Sequence, residues 1–294
     1  MKNILITGAT GLVGSQLSQL FIEKGYRVAH LSRSKSNDKK TFLWDYKKEF
    51  IEKEALFWAD IIVHLAGTSV ADKRWSKDQK KDIYESRVLG TRFLKKAIED
   101  SGVRIDYFLS ASAIGIYDQA SNKEMEENSE FGTDFLANVV KDWEKEIFSE
   151  VDYPTAALRI GLVLSKNGGA YPKLSAPVRL GFGANLGSGL QYMPWIHIDD
   201  LCAMFVFAVE NNLVGRYNAV SPEKITHNEF NQKIALSLGK KIWLPNIPVF
   251  ILKVLFGEMA GILVTGAPVS PKLIISKGFS FKYTTLSEAL ITLK

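Results

Sequence analysis

Short apolar runs and longer amphipathic stretches take turns along the first two-thirds of the chain. The apolar run Ile4, Leu5 and Ile6 predicts a buried strand over residues 2–6, and Leu12, Val13, Leu17, Leu20 and Phe21 follow at helical spacing. Residues 27–32 predict a second strand and residues 42–45 a short third. Residues 59–66 read as an apolar run that stops at Gly67, the pattern of a strand covered on both faces. Residues 78–99 place Ile83, Val88, Phe93, Leu94 and Ala97 along one side of a long helix. Residues 106–111 and 155–164 predict further strands, with a helix over 135–148 between them. This β-α-β rhythm predicts an α/β fold, a doubly wound parallel sheet of the Rossmann kind with helices on both faces.

The rhythm stops after Leu164. Residues 165–192 are rich in Gly, Pro and Ser and read as one long loop, of the kind that is usually functional. A helix resumes over 199–211, with Asp199 or Asp200 as its cap. Thr226 with Glu229, and Thr285 with Glu288, have the spacing of capping boxes that open C-terminal helices. From about residue 213 no βαβ spacing remains. The expected organisation is a dinucleotide-binding domain over 1–164, to which 196–220 return. A small C-terminal substrate lobe is built from 165–195 and 221–294. The cleft between them is the expected ligand site.

Composition narrows the function classes. The chain has 294 residues, 46% hydrophobic and 23% charged, an ordinary balance for a globular protein. A net charge of +5 and a pI near 9.0 come from scattered lysines without a basic, aromatic-interleaved stripe, so no nucleic-acid partner is expected. An anionic small molecule suits that balance better. The single cysteine, Cys202, allows no internal disulfide and reads as a small core residue. The four histidines lack partners at ligand spacing, so no metal is expected. No apolar run reaches a membrane span of roughly 18 residues, so no membrane partner is expected and the default address is cytoplasmic.

The chemistry begins at the first turn. Gly8, Gly11 and Gly14 follow the first strand and open a helix. Gly8 suits a tight turn, Gly11 a close approach of backbone to pyrophosphate, and Gly14 tight helix–strand packing. The helix N-terminus offers free N–H groups and positive dipole to phosphates, so a dinucleotide is expected against Thr7, Gly8, Thr10, Gly11, Leu12 and Val13. At the end of strand two, NAD enzymes usually place Asp or Glu for the ribose 2′-hydroxyl. Here Leu31-Ser32-Arg33-Ser34-Lys35 carries no carboxylate, and none occurs before Asp38. Ser32 and Arg33 suit a 2′-phosphate, so NADP(H) is expected. His64, before Leu65, Ala66 and Gly67, either lines the cofactor or makes a structural hydrogen bond within the sheet.

With these segments in view, nearly the whole chain resembles the short-chain dehydrogenase/reductase superfamily of extended type, as in nucleotide-sugar epimerases and dehydratases. The resemblance rests on Thr7 to Gly14, His64-Leu65-Ala66-Gly67, Val88-Leu89-Gly90-Thr91, Ser110-Ala111-Ser112 with Ile116-Tyr117, Leu158-Arg159 and Trp195 to Asp200. Residues 71–75, 85–87, 181–189 and 194–200 resemble an atypical subgroup of epimerase-family proteins with a C-terminal extension. The resemblance implies cofactor contacts from Leu65, Ala66, Gly67 and Arg87, the last standing where the superfamily often has Asn. It also implies a monomer or a homodimer joined through the helices at 78–99 and 135–148.

The departures bear on mechanism. In the superfamily a Tyr and a Lys four residues apart share a helix face and move a proton, while the nicotinamide moves a hydride. None of the ten tyrosines here is followed by Lys at i+4, and the residue four before Lys141 is Ala137. Ser112 occupies the place of the superfamily's Ser. Tyr117 is then the candidate hydroxyl, with Lys141 or Arg87 lowering its pKa; its other reading is an aromatic packing on the cofactor. His197 reads as an acid–base group or as a tie between the lobes. Arg74 and Trp75 read as a grip for an anionic or planar substrate, or as a solvated helix-entry loop. The expected function is an NADP(H)-binding oxidoreductase or epimerase-like protein acting on a small hydroxyl or carbonyl compound. The alternative is a non-catalytic NADPH-binding sensor, for which the apolar run 247–256 would be a docking surface if it is not a core helix.

Overall fold

The computed structural model describes residues 1–36, 40–149 and 152–293. Asp38, noted above, lies outside the described residues. The strands are β1 (Asn3–Thr7), β2 (Arg27–Ser32), β3 (Thr41–Asp45), β4 (Phe50–Ile51), β5 (Ile61–His64), β6 (Tyr107–Ala113), β7 (Thr155–Ile160), β8 (Leu162–Ser165), β9 (Gly168–Gly169), β10 (Trp195–His197) and β11 (Gly215–Ala219). The helices are α1 (Leu12–Glu23), α2 (Glu54–Trp58), α3 (Lys77–Ser101), α4 (Phe135–Ile147), α5 (Tyr171–Arg179), α6 (Ile198–Glu210), α7 (His227–Ser237), α8 (Val249–Phe256), α9 (Gly261–Val264), α10 (Lys272–Ser276) and α11 (Leu286–Thr292).

Eight strands form one sheet in the order β11-β7-β6-β5-β1-β2-β3-β4, parallel throughout except for β4 at its edge. The order reverses between β1 and β5, which pair with Thr7 opposite His64. Crevices for ligands form at such reversals, outside the carboxyl ends of the strands. Ile4, Leu5, Ile6, Ile61, Ile62, Val63, Phe108 and Leu109 are all buried, as strands with helices on both faces require. The doubly wound α/β architecture read from the sequence is therefore the one observed.

Four local expectations need correction. The strand expected over 155–164 breaks at Gly161 into β7, in the large sheet, and β8, in a three-stranded sheet with β10 and β9. A Cβ at Gly161 would lie 2.5 Å from the Pro194 carbonyl, so glycine lets two chain segments cross there. The loop expected over 165–192 contains α5, which accepts Pro172 in its first turn. β11 extends the large sheet beside β7, although its sequence, Gly215-Arg-Tyr-Asn-Ala, has no apolar run. Finally, α6 is capped by His197 and not by Asp199 or Asp200: the His197 ring accepts from the Asp199 N–H. Both capping boxes, at Thr226 and Thr285, form as expected.

A second core gathers Leu164, Tyr171, Trp195, Phe230, Ile234, Tyr283, Leu286 and Leu290, beneath α5, α7 and α11. Asp200 joins it to the large sheet by accepting from the Lys282 and Tyr283 N–H groups at 2.7 and 3.0 Å. Among the described residues no helix is long and apolar enough to cross a membrane, and no three His, Cys, Asp or Glu side chains are grouped to hold a metal ion.

Candidate functional site

The turn after β1 leaves no room for a side chain at Gly8, nor does the first turn of α1 at Gly14. Gly8 has φ +68°, and a Cβ on it would lie 2.8 Å from the Leu65 carbonyl carbon. A Cβ on Gly14 would lie 2.3 Å from the Gly8 oxygen. No side chain caps α1 at Gly11, so the positive end of that helix stays open at an exposed backbone. A cradle that a Cβ would fill, in front of an uncapped helix, fits a pyrophosphate. Thr10 is exposed in the turn, and Leu12 and Val13 are half-buried at the start of α1.

Thr7 holds the cradle from below. Its fully buried hydroxyl accepts from the Leu65 and Ala66 N–H groups at 3.0 and 3.1 Å. Its proton then goes to His64 Nδ1 at 2.8 Å. His64 Nε2 therefore carries the ring proton and donates to Thr91 Oγ1, which also accepts from the Trp143 indole. Burial lowers the His64 pKa to about 4, so the ring stays neutral. Of the two readings of His64, this geometry is the structural one. Thr7 likewise serves the cofactor turn as a strut, with its oxygen already committed.

At the end of β2, Ser32 is half-buried and Arg33 is exposed with no ion pair among the described residues. Gly67 lies against the Arg87 guanidinium, 3.3 Å from where a Cβ would stand. Arg87 gives Nη1 to the Thr68 and Ile83 carbonyls, lies over the Trp143 ring and has no carboxylate partner among the described residues. Burial lowers its pKa to about 10. Its Nε and Nη2 remain for a ligand.

Arg87 also lines a cavity of about 480 Å³ at the carboxyl ends of β6 and β7. Most of its wall is apolar: Ile114, Phe135, Leu136, Val139, Val140, Ile160 and Ile262. Trp75 is in this wall, edge-on to Phe135 and held by its indole on the Val70 carbonyl. The α4 face toward the cavity, where a Tyr and Lys four apart would present a hydroxyl and an ammonium, carries only apolar side chains. The ionisable groups of the cavity are Arg87, Asp134, Tyr192 and Glu258. Asp134 caps α4 and Glu258 pairs with Lys80.

The catalytic trio expected from the sequence does not converge here. Ser112 is buried and donates to Glu144 at 2.6 Å. Tyr117 is fully buried; its hydroxyl donates to Asn218 and accepts from Arg159. Burial raises the Tyr117 pKa to about 12, the opposite of what a proton donor near neutral pH requires. Lys141 points to solvent from the outer face of α4. Two substrate candidates also lie elsewhere. Arg74 packs on Gly257, and His197 is buried between Asp199, Thr292 and the Tyr283 ring as a tie to α11.

Sequence reasoning missed the group that takes up Ser112 and Tyr117. Arg159, opposite Ser112 in the β6–β7 register, makes a two-pronged pair with Glu144, which also accepts from Arg216. Burial pushes the Glu144 carboxyl up, but the hydrogen bonds and charges of Arg159, Ser112 and Arg216 outweigh it and hold the pKa below the ordinary value. A lone Glu among Val139, Val140, Trp143 and Ile147 was the available signal. Gly168 and Gly169 belong to the glycine-rich stretch read from the sequence, but their place was not legible there: they press directly on Leu12, so the β8–β9 hairpin overlies the start of α1.

Residues 4–219 match the family described as the NAD dependent epimerase/dehydratase family. The chain belongs to that family. Residues 247–293 match a domain of unknown function, DUF1731. The mouse epimerase family protein SDR39U1 is 31% identical, over 98% of each chain. Epimerase family protein YfhF of Bacillus subtilis is 32% identical, covering 98% of this chain and 96% of its own. The crystal structure of human SDR39U1 isoform 2 with NADPH superposes with a TM-score of 0.88 at 30% identity, over 98% of this chain and 97% of the other. Membership in this family agrees with the resemblance read from the sequence.

Proposed function

We propose that this epimerase-family chain binds NADP(H) and acts as an oxidoreductase or epimerase-like protein on a small, largely apolar hydroxyl or carbonyl compound. One observation carries the reading: Arg87 joins the glycine-cradled end of α1, by way of Gly67, to an apolar cavity. Gly8, Gly11 and the α1 N-terminus would take the pyrophosphate, and Ser32 with Arg33 the 2′-phosphate. The NADPH recorded with the human relative supports that choice. When bound, the nicotinamide supplies a hydride donor or acceptor.

The remaining chemistry falls to the cavity. Arg87, positive and partly desolvated, stabilises negative charge developing on a substrate oxygen. Trp75 and Phe135 exclude water and flank a planar group. Tyr192, whose hydroxyl makes no hydrogen bond among the described residues, is the phenol left to exchange a proton with that oxygen, in place of Tyr117. The second reading, a non-catalytic NADPH sensor, is favoured by the wholly apolar α4 face.

The test is a fluorescence titration with NADPH and NADH, followed by NADPH oxidation with a panel of small aldehydes and ketones. Tighter binding of NADPH than NADH, with that preference lost in Arg33→Ala, is the expected outcome. Turnover that falls in Arg87→Met and Tyr192→Phe supports the enzyme. Tight NADPH binding without turnover of any carbonyl leaves the sensor. Binding of neither nucleotide would sink both.

A further inference from the structure

The apolar run 247–256 is not a core helix. In α8 only Leu252 is buried, while Phe250, Val254 and Leu255 are 68, 71 and 60% exposed. The surface continues from α8. The segments at 180–190 and 242–249 run side by side, joined by Trp243 Nε1 to the Gly181 carbonyl, Gly187 N–H to the Ile247 carbonyl and Asn246 Nδ2 to the Ser188 carbonyl. They add Leu180, Phe182 and Trp243, at 74, 65 and 70% exposed. Apolar ground of this extent is uncommon on a free protein surface and marks a contact face.

The charges around it say what it contacts. No Asp or Glu occurs from residue 153 to 198 or from 230 to 257. Arg179, Lys240, Lys241 and Lys253 are exposed in these segments and make no ion pair among the described residues. A second copy on a two-fold axis would set these cations against their own counterparts, and like charges across an interface are costly. An anionic lipid surface accepts both features at once: apolar and aromatic side chains enter the acyl boundary while Lys and Arg meet the headgroups.

We infer that α8 and the adjoining loops form a docking face for an anionic membrane. Such contact needs no spanning helix. The far end of the same segment, with Glu258, Gly261, Ile262 and Thr265, lines the cavity, so the face is continuous in sequence with a wall of the apolar cavity.

The full chain is to be mixed with vesicles of phosphatidylcholine, with and without phosphatidylglycerol, and the bound fraction read by sedimentation. Binding is expected to the anionic vesicles only. Each of Lys240→Ala, Lys241→Ala and Lys253→Ala should weaken it about fivefold. The double variant Phe250→Ser/Val254→Ser should abolish it with unchanged circular dichroism, since both positions are exposed. Failure to bind anionic vesicles overturns the inference, and so does binding indifferent to the lysine variants. A dimer in sedimentation velocity that the serine variant dissociates, without vesicle binding, assigns the face to a second copy instead.

Discussion

Glu144 carries three partners in a place where a carboxylate alone could not stay charged. Its oxygens accept from Arg159 Nε, Arg159 Nη2, Arg216 Nε and the Ser112 hydroxyl. Arg159 is completely buried, so removing the carboxylate leaves a buried guanidinium without its paired partner. Breaking a buried pair from one side costs about 3–5 kcal/mol, because the surviving charge keeps its desolvation penalty. Glu144→Ala should lower stability by that amount in urea unfolding at neutral pH. The pKa of Glu144 is depressed in the folded state, so its contribution is complete above the ordinary value of 4.5 and is lost as pH falls through the folded value. The destabilisation by Glu144→Ala should therefore shrink in acid. A gap between wild type and variant that is the same at neutral pH and below that range would remove the carboxylate's charge from the explanation.

Individual elements behave as their sequences dictate where backbone sterics decide. Gly14 lies in the first turn of α1 and Gly25 just past its end, and they differ in what surrounds them. A Cβ at Gly14 collides with the Gly8 carbonyl, whereas one at Gly25, at φ +85°, meets nothing within 4 Å. Gly14→Ala should thus push α1 off the turn, cost about 1–3 kcal/mol as overpacking does, and weaken NADPH binding at least tenfold. Gly25→Ala should cost about 1–2 kcal/mol from its left-handed backbone and leave binding intact. Thermal denaturation beside a nucleotide titration separates the two effects; equal binding in both variants would detach the cradle from the ligand. This also shows why the first turn was legible: strand, glycine spacing and helix all lie within one short stretch of sequence. The catalytic trio was not legible, because the orientation of Ser112 and Tyr117 depends on Glu144 and Arg159, partners distant in sequence. β11 escaped for a related reason. Its buried Asn218 is satisfied by Tyr117, Ser270 and Glu127, and no apolar pattern announces such a strand.

At the scale of the whole molecule, the described residues gather into three hydrophobic cores, and the two largest are joined by polar contacts. Most of the large sheet and its long helices were readable from periodicity, which acts locally, with β4 and β11 the exceptions. The smaller core was readable only as far as its helix caps, since Leu164, Trp195, Phe230 and Leu290 come together from four separate segments. Asp200 is the main polar fastening: its carboxylate accepts from two consecutive backbone N–H groups, while His197 Nε2 donates to Thr292 on α11. Burial raises the Asp200 pKa, and the two backbone donors oppose that rise without cancelling it. Asp200→Ala strands the N–H groups of Lys282 and Tyr283, at a cost of about 1–3 kcal/mol for each left buried and unsatisfied. The loss should be local, because α7 and α11 pack on each other while β1 and β5 keep every contact. Hydrogen exchange by mass spectrometry should then show faster exchange over 227–237 and 282–292, with the amides of β1 and β5 as protected as in wild type. Uniformly faster exchange throughout would mean that the two cores open as one cooperative unit, with Asp200 contributing to both equally.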